Sequence, residues 1–267
     1  MVDLHTHHDR CGHAEGRLAD VAAWARERGI TMLGVSDHAP RFADAADHPR
    51  PQTQMARSHW EGYLAEATAL RDELVGRLDL RVGVEADYLP GTEAVYRAAL
   101  ARPELDYVLG SVHEVPAPGG AWALFHPETY AGADLDEVHR RYWETVAAAA
   151  TSGLFDVLAH LDLVRMLPEP GEWPRAAIED ALDAIADAGV AVEINGSGMR
   201  RDGRPYPDEP ILAGLVRRGV PISYGSDAHR RGQLGLGWDE ARALLAGLGV
   251  ERVAVFRGRG LGWWGVG

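Results

Sequence analysis

The sequence predicts an α/β fold built on a parallel sheet. Three observations carry that prediction. Short apolar, β-branched runs recur along the chain, each followed by an Ala/Leu/Arg/Glu-rich segment of helical spacing. The strands read as apolar on both faces, as a helix-covered parallel sheet demands. Residues of metal-binding type also collect at nearly every strand end. Eight strands alternating with helices in 267 residues suit one barrel-like domain spanning 1–267, although a doubly wound open sheet shows the same alternation.

The strand candidates, in order, are VDLH (2–5), TMLGVS (31–36), LRVGVEA (80–86), DYVLGSV (106–112), DVLAH (156–160), VAVEIN (190–195), PISYGS (221–226) and RVAVF (252–256). Helical spacing marks 17–28, 56–78, 135–151, 174–188, 209–218 and 239–246. The irregular segments 39–54, 114–134 and 196–210 follow strand ends, where catalytic loops sit in such folds. The Gly- and Trp-rich tail RGRGLGWWGVG either caps the bottom of the sheet or trails from it.

Composition removes several function classes. No apolar run approaches the roughly 18 residues of a membrane span, because Asp156, His160, Asp162 and Arg165 interrupt the best stretch. The start MVDLHTHHDR carries no secretory pattern and Cys11 is the one cysteine, so a cytoplasmic protein without disulfides is expected. A formal charge of −13 argues against nucleic acid as a partner. All 27 basic residues are arginine, which excludes a Schiff-base lysine, a phosphate-loop lysine and a carboxylated-lysine metal bridge. Oligomeric state is not legible.

His5 and His7 end the first strand, and His13 follows. Asp37 and His38 end the second strand, Glu85 the third, His113 the fourth and His160 the fifth; Glu193 and Asn195 end the sixth, and Asp227 and His229 the seventh. One buried histidine is more often a hydrogen-bonded core residue than a ligand. An H-x-H pair is stronger, because alternate strand residues face one side and can grip one ion. Surface polarity gives no reason for His and Asp to gather along one edge while the helices carry Arg and Glu. A site for two or three ions held by N and O donors follows, with Glu85 as the natural bridge and Zn, Mn or Fe all acceptable. Divalent ions about 4 Å apart suit phosphoester hydrolysis, and Arg200 and Arg201 lie in the loop after the sixth strand. His8, Cys11, His48, His59, His126 and His139 fall outside the pattern.

The motifs DLHTH, CGHAEG, SDHAP, VEADYLPG, DYVLGSVH, AHLDLVR, EINGSGMR and GSDAHR resemble, in order, those of the polymerase and histidinol phosphatase (PHP) family, in particular its monofunctional histidinol-phosphate phosphatases. The resemblance spans roughly 3–245. It implies a distorted (β/α)7 TIM-like barrel with the metal site at the C-terminal ends of the strands. It also implies three divalent ions: one on His5, His7, Glu85 and Asp227, one on Glu85, His113 and His160, and one on His13, His38 and His229. The implied reaction is hydrolysis of L-histidinol phosphate in histidine biosynthesis, with a nucleoside bisphosphate or another small phosphorylated molecule as the alternative substrate. Arg200 is expected to bind the phosphate, Asp227 to handle the proton, and Asp37 to orient His38 or a neighbouring ligand. Glu15 and the acidic 42–48 loop are candidates for the cationic end of the substrate.

Overall fold

In the computed structural model, which describes residues 1–47 and 53–266, the apolar runs form two parallel sheets. His48 and the adjoining part of the 39–54 loop lie outside the described residues. The first sheet holds β1 (Val2–Asp3), β2 (Met32–Val35) and β3 (Asp79–Val82) in the order β1-β2-β3. The second holds β4 (Glu85–Asp87), β5 (Leu109–Ser111), β8 (Val157–Leu158), β9 (Ala191–Asn195) and β10 (Ile222–Gly225) in the order β10-β9-β8-β5-β4. Between β5 and β8 the chain adds an antiparallel hairpin, β6 (Glu114–Ala117) and β7 (Gly120–Ala123).

Backbone hydrogen bonds join the two sheets at both flanks. Leu4 N donates to Tyr224 O at 3.0 Å, Asp227 N to His5 O at 2.8 Å and His7 N to Ala228 O at 2.9 Å, so β1 runs beside β10. On the other flank Gly83 N donates to Val35 O at 2.8 Å and Ala39 N to Glu85 O at 2.7 Å, which sets the end of β2 against the start of β4. The expected strand 80–86 is therefore broken at Gly83–Val84. Its first half pairs with β2 and its second half with β5.

The helices are α1 (Leu18–Glu27), α2 (Trp60–Glu73), α3 (Glu93–Leu100), α4 (Leu135–Thr151), α5 (Arg175–Ala188), α6 (Glu209–Arg217) and α7 (Trp238–Gly247). Local chemistry sets their ends. Asp134 caps α4 by accepting from Asp136 N at 3.0 Å, and Gly189 closes α5 with φ of 67°, a conformation glycine adopts without strain. The expected helix 56–78 is shorter because a single 3-10 turn precedes it and its C-terminal residues loop towards β3. α3 is a helix that the sequence reading did not anticipate. No helix among the described residues is long and apolar enough to cross a membrane.

The eighth expected strand does not extend a parallel sheet. β11 (Arg252–Arg257) turns through Gly258 and Arg259, both at positive φ, and pairs antiparallel with β12 (Gly260–Gly265). The tail, expected either to cap the bottom of the sheet or to trail from it, is the second half of a hairpin and caps that end. It packs under the N-terminal ends of the strands: Gly258 N donates to Asp106 Oδ1 at 2.9 Å, and Arg259 pairs with Asp156 and Arg257 with Asp79. Val253, Ala254, Val255 and Phe256 are buried there. With one end closed by the hairpin, the opposite end carries the polar strand termini.

Candidate metal centre

Glu85 is the hub of that end. It opens β4, is 2% exposed, and presents its two oxygens to different histidines. Oε2 lies 2.9 Å from His38 Nδ1, 3.3 Å from His5 Nε2 and 3.5 Å from His7 Nε2. Oε1 lies 3.1 Å from His160 Nε2 and 3.7 Å from His113 Nε2, and accepts from the Ser111 hydroxyl. Asp227 approaches from the other side, with Oδ1 3.1 Å from His7 Nε2 and 3.4 Å from His229 Nδ1. His229 Nε2 in turn stands 2.9 Å from His13 Nε2. All nine histidine and carboxylate candidates therefore converge on one site.

Three atoms at the centre are buried and without a hydrogen-bond partner: His5 Nε2, His7 Nε2 and Glu85 Oε2. Orphaned buried polar groups are costly, and a cation between imidazole nitrogens and a carboxylate oxygen would satisfy all three. Donor atoms gather closely enough for an ion in the sets His5–His7–Asp227, Glu85–His113–His160 and His7–His38–His229. Imidazole and carboxylate together suit Zn, Mn or Fe.

Carboxylates behind the histidines set which nitrogen faces inwards. Asp87 Oδ1 sits 2.6 Å from His113 Nδ1 and Glu193 Oε1 2.8 Å from His5 Nδ1. Asp37 Oδ1 sits 3.2 Å from His7 Nδ1, while its Oδ2 faces His8 Nδ1 at 3.2 Å and accepts from Cys11 N at 3.0 Å. Of the two partners expected for Asp37, the side chain meets the neighbouring ligand: it braces His7, together with His8, and touches His38 only at its backbone N, 3.0 Å away. His8 is buried against Asp37 and the Tyr63 ring. Asp87 and Glu193 are the supports that the sequence reading assigned no role. The signal available was period: Asp87 lies two residues beyond Glu85, on the same strand face.

The electrostatics follow from this crowding. Burial alone would raise the Glu85 carboxyl, but His38 and His5 beside it hold it well below the usual carboxylate range. Burial pulls His38 down, and Glu85 and Asp37 outweigh that, lifting it to about 9. His229 is pushed down to about 2 by burial and by the neighbouring His7, which leaves its imidazole neutral, the form that binds metal. Asp227 is held well below its ordinary range by His5, His7 and His229 against the effect of burial.

A cavity of about 640 Å³ opens over these groups. Arg200 and Arg201 lie on its rim with Tyr206, and Arg200 Nη1 reaches Asp227 O at 3.4 Å. Phe125 and Glu114, both unassigned from sequence, line it as well. Glu15 does not: its side chain is turned to solvent and lies 3.5 Å from Arg230, although its backbone N donates to His229 O at 2.8 Å. The described acids of the 42–48 loop are likewise engaged elsewhere, Asp44 with Arg41 at 3.2 Å and Asp47 with Ser58 N at 3.1 Å. His126 sits at the cavity mouth, paired with Glu128 at 3.0 Å. His59 precedes α2, and His139 is buried in α4.

Known proteins resemble this chain in sequence and in fold. The family model for the PHP domain matches residues 3–197. A protein of Deinococcus radiodurans described as "Probable histidinol-phosphatase" is 36% identical over 265 residues, covering 97% of both chains. The histidinol-phosphatase of Bacillus subtilis is 27% identical over 260 residues, covering 89% of this chain and 96% of its own. Among solved structures, histidinol phosphate phosphatase of Lactococcus lactis, complexed with Zn, L-histidinol and phosphate, superposes with a TM-score of 0.77 at 20% identity, over 98% of each chain. The chain belongs to the PHP domain family.

Proposed function

We propose that this member of the PHP domain family is a metal-dependent phosphomonoesterase that hydrolyses L-histidinol phosphate to L-histidinol and phosphate. The observation that carries the reading is the pair of Glu85 oxygens, each facing its own group of imidazoles, which is the geometry of a carboxylate bridging two ions. The likeness to histidinol-phosphatases over nearly the whole chain supports the substrate.

Three divalent ions are the reading of the donor set. His5, His7, Glu85 and Asp227 would hold the first, Glu85, His113 and His160 the second, and His13, His38 and His229 the third. When bound, the ions supply Lewis-acid polarisation of the phosphoryl group and an activated water. Arg200, on the rim next to Asp227, binds phosphate oxygens and steadies the charge that grows on them. Asp227, held as a carboxylate, accepts a proton from the attacking water. The other carboxylates lining the cavity are already engaged, Asp87 by His113 and Gln54 and Glu114 by Arg41, so neither takes over the role expected of Glu15 and the 42–48 loop.

We also read the two parallel sheets as a single closed ring of seven strands, with β3 and β4 counted as one broken strand. The bonds from β1 to β10 and from β2 to β4 support closure. An apolar core continuous from Val2 to Val266 supports one domain across the chain.

The test is phosphate release from L-histidinol phosphate by protein loaded with Zn, Mn or Fe, beside a panel of nucleoside bisphosphates. Preference for histidinol phosphate, lost with chelator and in His5→Ala, is the expected result. Turnover confined to bisphosphates would overturn the substrate and leave the site standing.

A further inference from the structure

His5, His7 and His113 turn Nε2 towards Glu85 and have Nδ1 held by a carboxylate. For His7 and His113 that partner is an aspartate serving one site histidine ring each. Glu193 plays the same part for His5. It lies on β9, is 1% exposed, and its two oxygens meet three donors. Oε1 faces His5 Nδ1 at 2.8 Å, while Oε2 accepts from His160 N at 3.1 Å and from Asn195 Nδ2 at 2.6 Å. His5 comes from the end of β1 and His160 from the end of β8, so this carboxylate ties together residues from both parallel sheets.

Two further observations mark the position as built. His160 has φ of 28°, a left-handed conformation that a non-glycine residue keeps only when its surroundings hold it, and the Glu193 oxygen grips its N–H. On the neighbouring strand β10, Gly225 faces the same space. A Cβ there would come within 2.1 Å of Glu193 Oε1 and 2.3 Å of His5 Cβ. Only glycine leaves room for the pair.

We infer that Glu193 is a positioning residue for the metal centre, fixing His5 with Nε2 free to face the ions and fixing the turn that presents His160. This rests on the reading of His5 and His160 as ligands. With both oxygens accepting, the Glu193 carboxylate requires His5 to carry its proton on Nδ1, which leaves Nε2 as a lone pair pointed at Glu85 and Asp227. A glutamine in its place has one acceptor oxygen and one NH2. If that oxygen keeps His160 N and Asn195 Nδ2, the NH2 faces His5 Nδ1 and calls for the opposite tautomer, with the proton on the nitrogen meant for metal. Glu193 itself is not a ligand in this scheme, because both its oxygens are occupied by protein donors.

The experiment measures Zn affinity by competition with a chromophoric chelator, ion stoichiometry by elemental analysis, and the His5 tautomer by nitrogen-15 NMR. It compares wild type, Glu193→Gln, Glu193→Asp, Gly225→Ala and His5→Ala. Glu193→Gln is expected to weaken Zn binding by about 10–100-fold, the usual effect of removing the partner of a metal-bound histidine. The Nδ1–H signal of His5 is expected to vanish with it, and Glu193→Asp to recover part of the affinity. Wild-type affinity and an unchanged His5 signal in Glu193→Gln, with affinity lost in His5→Ala, would overturn the inference alone. If His5→Ala also binds Zn as wild type does, the ligand reading of His5 falls, and the inference with it. Should Glu193→Gln fail to fold, Gly225→Ala disturbs the same pair from β10. A folded Gly225→Ala with undiminished Zn affinity would then count against it.

Discussion

Asp87 Oδ1 stands 2.6 Å from His113 Nδ1, and the far nitrogen of that ring, Nε2, faces Glu85 Oε1 at 3.7 Å. Both carboxylates come from the three-residue strand β4, two residues apart, so a single short strand supplies a metal-facing oxygen and the brace for a neighbouring histidine. Asp87→Asn removes the charge and places an NH2 opposite Nδ1 in one of its two orientations. Zn affinity, read by chelator competition, is expected to fall about 10–100-fold with the fold intact. An unchanged affinity would mean that packing alone holds the His113 ring.

Arg200 reaches the cavity from the 3-10 turn after β9 and rests its Nη1 near Asp227 O, leaving the rest of the guanidinium free for an anion. Arg200→Ala is expected to lower kcat/KM for histidinol phosphate by roughly 100-fold, the scale for losing one preorganised donor at developing charge. Arg200→Lys should restore only part, because a point charge lacks the two-pronged geometry that suits phosphate. Steady-state kinetics with equal ion loading checks this, and equal kcat/KM in all three proteins would remove Arg200 from phosphate binding.

The site was more legible in the sequence than the fold around it, for a physical reason. Ligand chemistry requires particular residue types, so His5, His7, Glu85 and Asp227 stand out wherever apolar strand residues give way to them. The braces are less visible. Glu193 and Asp87 are ordinary carboxylates whose meaning lies in partners 188 and 26 residues away. The segment EAVYRAAL of α3 is too short to display several helical periods, and β6–β7 turns on Pro116–Gly120, a stretch that reads equally as loop. RVAVF was readable as a strand. Its direction was not, because the antiparallel partner GLGWWG carries three glycines and no β-branched residue.

The hairpin that closes the lower end hangs on Asp106. Oδ1 accepts from Gly258 N and Oδ2 from Val82 N, each at 2.9 Å, and the backbone oxygen accepts from Arg259 N at 2.8 Å. Asp106→Ala strands two N–H groups beside the core and is expected to destabilise the protein by about 1–3 kcal/mol. Since the aspartate lies at the opposite end from Glu85, Zn affinity should be unaffected. Denaturant unfolding beside a Zn titration separates the two effects; a loss of affinity matching the loss of stability would show that the two ends are coupled.

His139 supplies a pH dependence that lies apart from the ions. Its ring is buried in α4, with Nε2 3.1 Å from Pro168 O and the Trp173 ring set edge-on, and burial holds its pKa below the ordinary histidine value of 6.5. The sign follows from proton counting. Below about 6.5 the unfolded chain takes up a proton that the folded one refuses, so stability falls as pH drops from 6.5 towards the folded-state value. Above 6.5 both states are neutral and the contribution is flat. His139→Gln keeps a donor for Pro168 O and removes the titration. The difference in unfolding free energy between the two proteins, followed from pH 8 to 5 with ions bound, should be constant above 6.5 and shift in favour of the variant below it. A difference that stays constant across the whole range would show that His139 protonates equally well in the folded protein.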